Sequence, residues 1–293
     1  MELRQKMTLE ENIFLAKRNL VDTIWKQANL EGVSVTFPET QMIIDGFSVA
    51  NRSIEDLTII LNLKRAWQFL FDSINDEIHL SLIQDFNRLI GRDLVYKSGF
   101  LRTADVKIGG TDYKPKLPIE YEVKESIETI LQNNNKKDVA LDLMLFLMRN
   151  QLFFDGNKRT AMLIANKILI ENGLGILAVA QKNMNVFFTK LIHFYETNDA
   201  RDIKSFCEKE CIETINFPKE NLNSIEQNSM IQDFNNQDSI EDRITLLEKN
   251  QQVIINTPKT NTIHQEIEKQ ESTNNTDYNI IKNSVESKTR RCK

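Results

Sequence analysis

The chain is short of cysteine, of long apolar runs and of net positive charge, and each shortage removes a class of function. Three cysteines, Cys207, Cys211 and Cys292, make no disulfide framework. Cys207 and Cys211, at i and i+4 of an expected helix, could share a face. No histidine or further cysteine stands near them to complete a metal site. No apolar run reaches the roughly 18–20 residues of a membrane span. The opening MELRQKMTLEENIFL is charged throughout and lacks the apolar core of a signal peptide, so the expected setting is cytoplasmic, with no membrane partner. The net charge is −5, with basic residues dispersed along the chain, so nucleic acid is not an expected partner.

At 293 residues the chain can hold one fair-sized domain and something extra. Apolar residues recur at helical spacing over 9–28, and again over 54–94 with an interruption near Asn75 and Asp76. Further helices are expected over 119–132, 138–150, 159–171, 183–197 and 200–212, with Gly173 and Gly175 supplying a stop and turn. Val106–Ile108 and Asp112–Lys114 flank Gly109, Gly110 and Thr111, a turn-rich centre that predicts one short β-hairpin. Trp25 and Trp67 are expected in the core, and His193, inside an apolar stretch, is expected to pack on a helix face. Beyond about Pro218, Asn, Gln, Ser, Thr, Glu and Lys dominate. Such a segment cannot bury enough apolar surface to offset chain entropy and is expected to be largely disordered. Ile240, Ile244, Leu247 and Ile254 leave room there for one short amphipathic helix. The fold class is therefore mainly α, with one small hairpin and a polar C-terminal tail.

The most informative stretch is Phe153-Phe154-Asp155-Gly156-Asn157-Lys158-Arg159-Thr160, set between two apolar runs at 141–148 and 161–170. Gly permits positive φ, and Asp and Asn bond locally to backbone, so a tight polar loop is expected on top of a buried helix that starts near Lys158 or Arg159. Free N–H groups at such a helix start attract anions. Asn157, Lys158 and Arg159 add phosphate-binding side chains, and Asp155 offers a hard oxygen for a divalent metal. The pattern therefore allows a metal–phosphate site or a simple solvated turn. It fits neither a P-loop nor a dinucleotide fingerprint.

This loop resembles the signature of the Fic/Doc (Fido) family, approximately H-P-F-x-[DE]-G-N-[GK]-R, which sits in an all-helical core. The usual activity of that family is transfer of AMP from Mg2+–ATP to a protein hydroxyl. Alignment puts Gln151 where the family has its catalytic His and Leu152 where it has Pro. His serves as a base because its pKa lies near neutrality, whereas Gln cannot accept the hydroxyl proton. The histidines are His79, His193 and His264, none near the loop in sequence. Lys158, where many AMP transferases carry Gly, resembles the Doc-type members that transfer a phosphoryl group.

Two further segments carry the resemblance. Residues 101–118 resemble the hairpin flap of full-length Fic proteins, which implies target docking at Ile108, Gly109, Gly110, Thr111, Asp112 and Tyr113; an ordinary surface hairpin is the alternative. Residues 29–46 resemble the region of an N-terminal inhibitory helix, with Glu31 as the inhibitory carboxylate. Gln27 replaces the Ser or Thr that opens that motif, and Met162 replaces its usual arginine partner, which leaves Arg159 as the local cation. A helix-ending Glu before a stop Gly is the alternative. The resemblance implies a helical region at 1–50, a Fic-like core at 51–216 and a tail at 217–293. It implies ATP and Mg2+ as cofactors and a target or regulatory protein as partner, with a homodimer possible. Catalytic positions would be Gln151, Asp155, Asn157 and Arg159; Gly156, Asn157, Lys158 and Arg159 would bind nucleotide, and Asp155 the metal. The function expected is AMP transfer weakened or lost through Gln151, with an inactive binding module or a Doc-like kinase as alternatives.

Overall fold

The computed structural model describes residues 6–215, so the amphipathic island at 240–254, His264 and Cys292 lie outside the described residues. Ten α-helices are present among them: α1 (Leu9–Arg18), α2 (Leu20–Leu30), α3 (Phe37–Ile44), α4 (Ile54–Asp72), α5 (Leu80–Ile90), α6 (Glu120–Leu131), α7 (Lys136–Asn150), α8 (Asn157–Glu171), α9 (Met184–Thr197) and α10 (Arg201–Glu210). The mainly helical expectation holds. Two short strands, β1 (Ile176–Leu177) and β2 (Ile212–Glu213), pair antiparallel.

Helix starts follow local chemistry. Thr8 and Glu11 form a reciprocal capping box at α1, as Thr36 and Glu39 do at α3. Ser53 caps α4 and Asn135 caps α7. The single helix expected over 9–28 is divided at Asn19, which leaves helical geometry and serves as C-cap of α1 and N-cap of α2. Helix α3 was not anticipated, although Thr36-Phe37-Pro38-Glu39 spells its N-terminus. The 101–118 segment differs from expectation in the other direction. Its chain turns at Gly109 and Gly110 but forms no strand ladder.

Helix α8 is the hub. It is buried along nearly all of its length, and α1, α4, α5, α7 and β1 pack on it. Each fully buried Leu or Ile on it contributes about 1.5–3 kcal/mol of burial free energy. Polar residues in this core act as pins. Lys167 of α8, fully buried, donates from Nζ to the carbonyls of Ile74 at 2.9 Å and Asp76 at 2.6 Å, which joins α8 to the α4–α5 turn. Asn166 bonds both backbone groups of Leu177, donating to its carbonyl at 2.9 Å and accepting from its N–H at 2.7 Å. Together these contacts pin the C-terminal half of α8, the end away from the polar loop. Trp67 is wholly buried and Trp25 partly so, with its indole donating to the Val35 carbonyl at 2.8 Å.

Candidate active site

The loop between α7 and α8 is made by two left-handed residues. Gln151 ends α7 at φ 46°, ψ 61°, a conformation strained for a residue with a side chain. Its own groups help to hold it there: Nε2 donates to the Met148 carbonyl at 2.6 Å, and its carbonyl accepts from Arg102 Nε at 2.6 Å. Gly156 is the second, at φ 75°. A Cβ at Gly156 would lie 2.7 Å from Ile90 Cγ2 and 3.1 Å from Asn87 Nδ2, so no other residue fits without a shift. Because Gly156 takes this conformation, α8 begins at Asn157, earlier than the expected Lys158 or Arg159.

Asn157 closes the loop from inside. Its Oδ1 accepts from the Phe153 N–H at 2.9 Å, and its Nδ2 donates to the Phe153 carbonyl at 2.8 Å and to Gln151 Oε1 at 3.1 Å. Asn87 of α5 braces it from outside, donating to the Asp155 carbonyl at 2.9 Å and to Thr160 Oγ1 at 3.2 Å while accepting from the Gly99 N–H at 2.8 Å. Asn87 and Arg102 are supports that sequence reasoning missed. Asn87 had a signal, since it interrupts the apolar stripe of Ile83, Phe86 and Ile90. Arg102 had none.

Charge gathers on one side of this loop. Arg159, almost wholly buried, donates from Nη2 to Asp155 Oδ2 at 2.8 Å, while the Asp155 side chain remains 54% exposed. Glu31 arrives from the end of α2. Its Oε2 lies 3.7 Å from Lys158 Nζ and 3.9 Å from Arg159 Nε. Arg159 is therefore not the only cation at Glu31, a correction to the sequence-based expectation. Glu31 is also the C-cap of α2 with left-handed Gly32 after it, so the helix-ending role and the ion-pair role coexist. Gln27, one turn earlier, is buried and accepts from Trp67 Nε1 at 3.0 Å; Met162 is buried in α8.

Three buried atoms at this cluster have no hydrogen-bond partner: Glu31 Oε1, Arg159 Nε and Arg159 Nη1. Two orphaned guanidinium donors beside the uncapped N-terminus of α8 suit an anion rich in acceptor oxygens, such as phosphate. Asp155 is a half-exposed carboxylate suited to a hard divalent cation. No cluster of three or more His, Cys, Asp or Glu side chains is present among the described residues. A divalent ion held by Asp155 would thus take its remaining oxygens from phosphate and water, as Mg2+ commonly does.

A cleft of about 400 Å3 opens over these groups, lined by Glu31, Gln151, Asp155, Asn157 and Lys158 on one side and by Lys107, Ile108 and Gly109 of the flap and Phe188, Leu191, Ile192 and Tyr195 of α9 on the other. The flap is fastened to α9 beyond the cleft. Thr111 Oγ1 donates to Glu196 Oε1 at 3.0 Å, Gly110 sits against Ile192, and the Tyr113 ring stacks on Tyr195 with Arg149 4.1 Å from its centroid. Asp112 is exposed and does not line the cleft. Burial, and then the Glu31 charge, push the Tyr195 phenol well above its ordinary pKa. Among the described residues no histidine lines the cleft: His79 caps α5, its Nδ1 accepting from the Leu82 N–H at 3.0 Å. His193 is exposed and does not pack in a helix interface, contrary to expectation.

Residues 74–169 match the model of the Fic/DOC family. Two relatives named protein adenylyltransferase fic-1, from Caenorhabditis briggsae and Caenorhabditis elegans, are 23% and 22% identical over 199 residues. These alignments cover 64% of this chain but 38% of each relative, so the chain matches well under half of their length. Among solved structures, residues 134–508 of Fic-1 from C. elegans superpose with a TM-score of 0.60 at 20% identity, covering 67% of this chain and 62% of that one. A Fic domain-containing signalling protein from Bacteroides thetaiotaomicron VPI-5482 gives 0.58 at 18% identity, covering 69% and 85%. The likeness to these structures is one of fold. No helix among the described residues is long and apolar enough to cross a membrane.

Proposed function

We propose that this chain, which belongs to the Fic/DOC family through residues 74–169, is a Mg2+–ATP-binding module of the protein adenylyltransferase type in which transfer of AMP to a protein hydroxyl is weak or lost. The observation that carries this reading is the state of Gln151. A hydroxyl attacking phosphorus must give up a proton, and the side chain standing at the loop donates to Met148 with one end and accepts from Asn157 with the other. It neither titrates nor has a free acceptor directed into the cleft. Loss of a general base typically costs about 10²–10⁴-fold in rate.

The phosphate side of the site is retained. Lys158, the orphaned donors of Arg159 and the N–H groups opening α8, beginning with Gly156 and Asn157, would hold the phosphates. Asp155 would hold Mg2+, which when bound neutralises charge on the transferring phosphate. The side chain of Asn157 is committed to the loop, so it shapes the phosphate cradle. Glu31 pairs with both cations and stands where a terminal phosphate would otherwise find them, which supports an inhibitory role. The backbone on either side of Gly109 and Gly110 belongs to no strand ladder, so a target segment carrying the hydroxyl could lie along it by strand addition, with Ile108 to Tyr113 at its tip.

The test is transfer of label from α- or γ-labelled ATP into a total protein extract, run beside calorimetry of Mg2+–ATP binding, for the wild type, Glu31→Gly, Asp155→Ala and Gln151→His. Binding by the wild type, faint or no α-label, and strong Asp155-dependent α-label with Gln151→His are expected. Absence of Mg2+–ATP binding in every variant would refute the nucleotide site. Transfer of γ-label alone would replace AMP transfer with phosphoryl transfer.

A further inference from the structure

Arg102 lies at the entrance to the flap, only 2% exposed. A guanidinium taken out of water needs its charge and its donors answered. Here backbone carbonyls answer them. Nε donates to Gln151 at 2.6 Å, Nη1 to Ala104 at 2.9 Å, and Nη2 to Pro115 at 3.1 Å and Lys116 at 2.5 Å. The Arg102 N–H adds a bond to the Leu152 carbonyl at 2.9 Å. Burial presses the guanidinium pKa down, with Asp105 opposing, yet arginine remains charged at any physiological pH.

The carbonyls belong to three separate pieces of chain. Ala104 is on the limb entering the flap, Pro115 and Lys116 are on the limb leaving it, and Gln151 and Leu152 form the turn above α8. The flap has no strand ladder to hold its limbs together, so this fork does the work that cross-strand hydrogen bonds do in a hairpin. The Gln151 carbonyl faces Arg102 only while residue 151 keeps its left-handed φ and ψ, a strained state that the surroundings must impose.

We infer that Arg102 is the positioning residue of this site, coupling the backbone of residue 151, and with it the direction of its side chain, to both limbs of the flap through one guanidinium. The acceptor's docking edge and the position that faces the reacting hydroxyl are then set in one register and cannot shift separately. The catalytic consequence rests on the function proposed above; the coupling itself does not.

Hydrogen–deuterium exchange on the full chain tests the coupling for the wild type, Arg102→Gln and Arg102→Lys. In Arg102→Gln, the bonded amides of residue 102 and Tyr113 on the flap side and of Gln151 and Phe153 in the loop are expected to exchange together, about tenfold faster or more, while the middles of α4 and α8 stay protected. Arg102→Lys keeps the charge but cannot reach the same carbonyls with a compact ammonium, so the same two segments should loosen in proportion. If Arg102→Gln does not fold, the lysine variant carries the test alone. Loosening of the flap with 151–153 unchanged, or protection lost evenly over the chain, would overturn the inference. In a Gln151→His background that transfers label, adding Arg102→Lys should lower kcat about tenfold at unchanged KM for Mg2+–ATP, as a misplaced acceptor predicts. A change in KM alone would also overturn it. If Gln151→His transfers nothing, the functional reading fails there, and the exchange result still decides the role of Arg102.

Discussion

Asn157 donates from Nδ2 to Oε1 of Gln151 at 3.1 Å, tying the first residue of α8 to the residue that ends α7. An amide suits that place because it donates and accepts at once, and Gln151 uses both functions. The property that makes glutamine a good strut makes it useless as a base. Loop architecture and loss of proton-accepting chemistry are thus the same fact seen from two sides.

Replacing that strut with a titrating group should restore what it lacks. Gln151→His is expected to raise α-label transfer about 10²–10⁴-fold over the wild type. The gain should appear only where the imidazole is neutral, rising through about pH 6.5 and flattening above it. The wild type should show no step in that range. Label transfer measured from pH 5.5 to 8.5 reads both features. A variant that binds Mg2+–ATP as the wild type does and still transfers nothing would show that position 151 is not what limits the site.

Gly156 should tolerate no side chain. Its φ of 75° costs an L-residue about 1–2 kcal/mol. The Cβ contact of 2.7 Å with Ile90 Cγ2 adds overpacking of about 1–3 kcal/mol. Gly156→Ala should therefore lose about 2–5 kcal/mol in urea unfolding. Ile90→Ala in the same chain removes the Cγ2 methyl, so the two losses together should be smaller than the sum of each alone, with the backbone cost remaining. A Gly156→Ala chain as stable as the wild type would mean that the loop can be re-formed around a different residue.

Glu39 makes a pH prediction away from the cleft. Hydrogen bonds from Arg52 first, then from the Thr36 amide and hydroxyl, hold its carboxyl down at about 2. A depressed folded pKa stabilises above the unfolded value, about 4.3 for Glu, and that contribution disappears as pH falls through the folded one. The difference in Tm between the wild type and Glu39→Gln should be constant at neutral pH and close between about pH 4.3 and 2. A gap that persists unchanged at the acid end would assign the stabilisation to the shape of the α3 cap, with no part for its charge.

What was legible in the sequence had a local cause. The loop around Gly156 could be placed because positive φ, a polar run and two apolar flanks coincide within a few residues. The break between α4 and α5 was legible at Asn75 and Asp76 for the same reason. Helix α3 is spelled by the capping box at Thr36 and Glu39, but its eight residues are too short for an apolar period to show. Turn residues at Gly109 and Gly110 specify a turn, whereas a ladder needs the two limbs in register, and Arg102 holds them by another means. Long-range supports such as Asn87 on Asp155 or Lys167 on Ile74 join residues far apart in the chain, and a sequence carries no periodicity for such pairs.

Glu31 offers the sharpest test of regulation at the site. Its Oε2 is shared between Lys158 and Arg159 at 3.7 and 3.9 Å, distances of attraction without hydrogen bonding, while Oε1 is buried with no partner. A carboxylate so poorly satisfied gains little from its place and should yield to a better anion or be missed little when removed. Glu31→Gln keeps the size of the side chain and removes its charge, so Mg2+–ATP should bind about tenfold tighter by calorimetry, a difference of about 1.4 kcal/mol. Simple repulsion of the triphosphate would give the same sign, and a double-mutant cycle separates the two. If Glu31 acts by occupying the cations, the gain from Glu31→Gln should shrink in a Lys158→Gln background. If it acts by repulsion alone, the gain should be the same in both backgrounds. An unchanged affinity for Glu31→Gln in the wild-type background would leave Glu31 with only its role as the residue that ends α2.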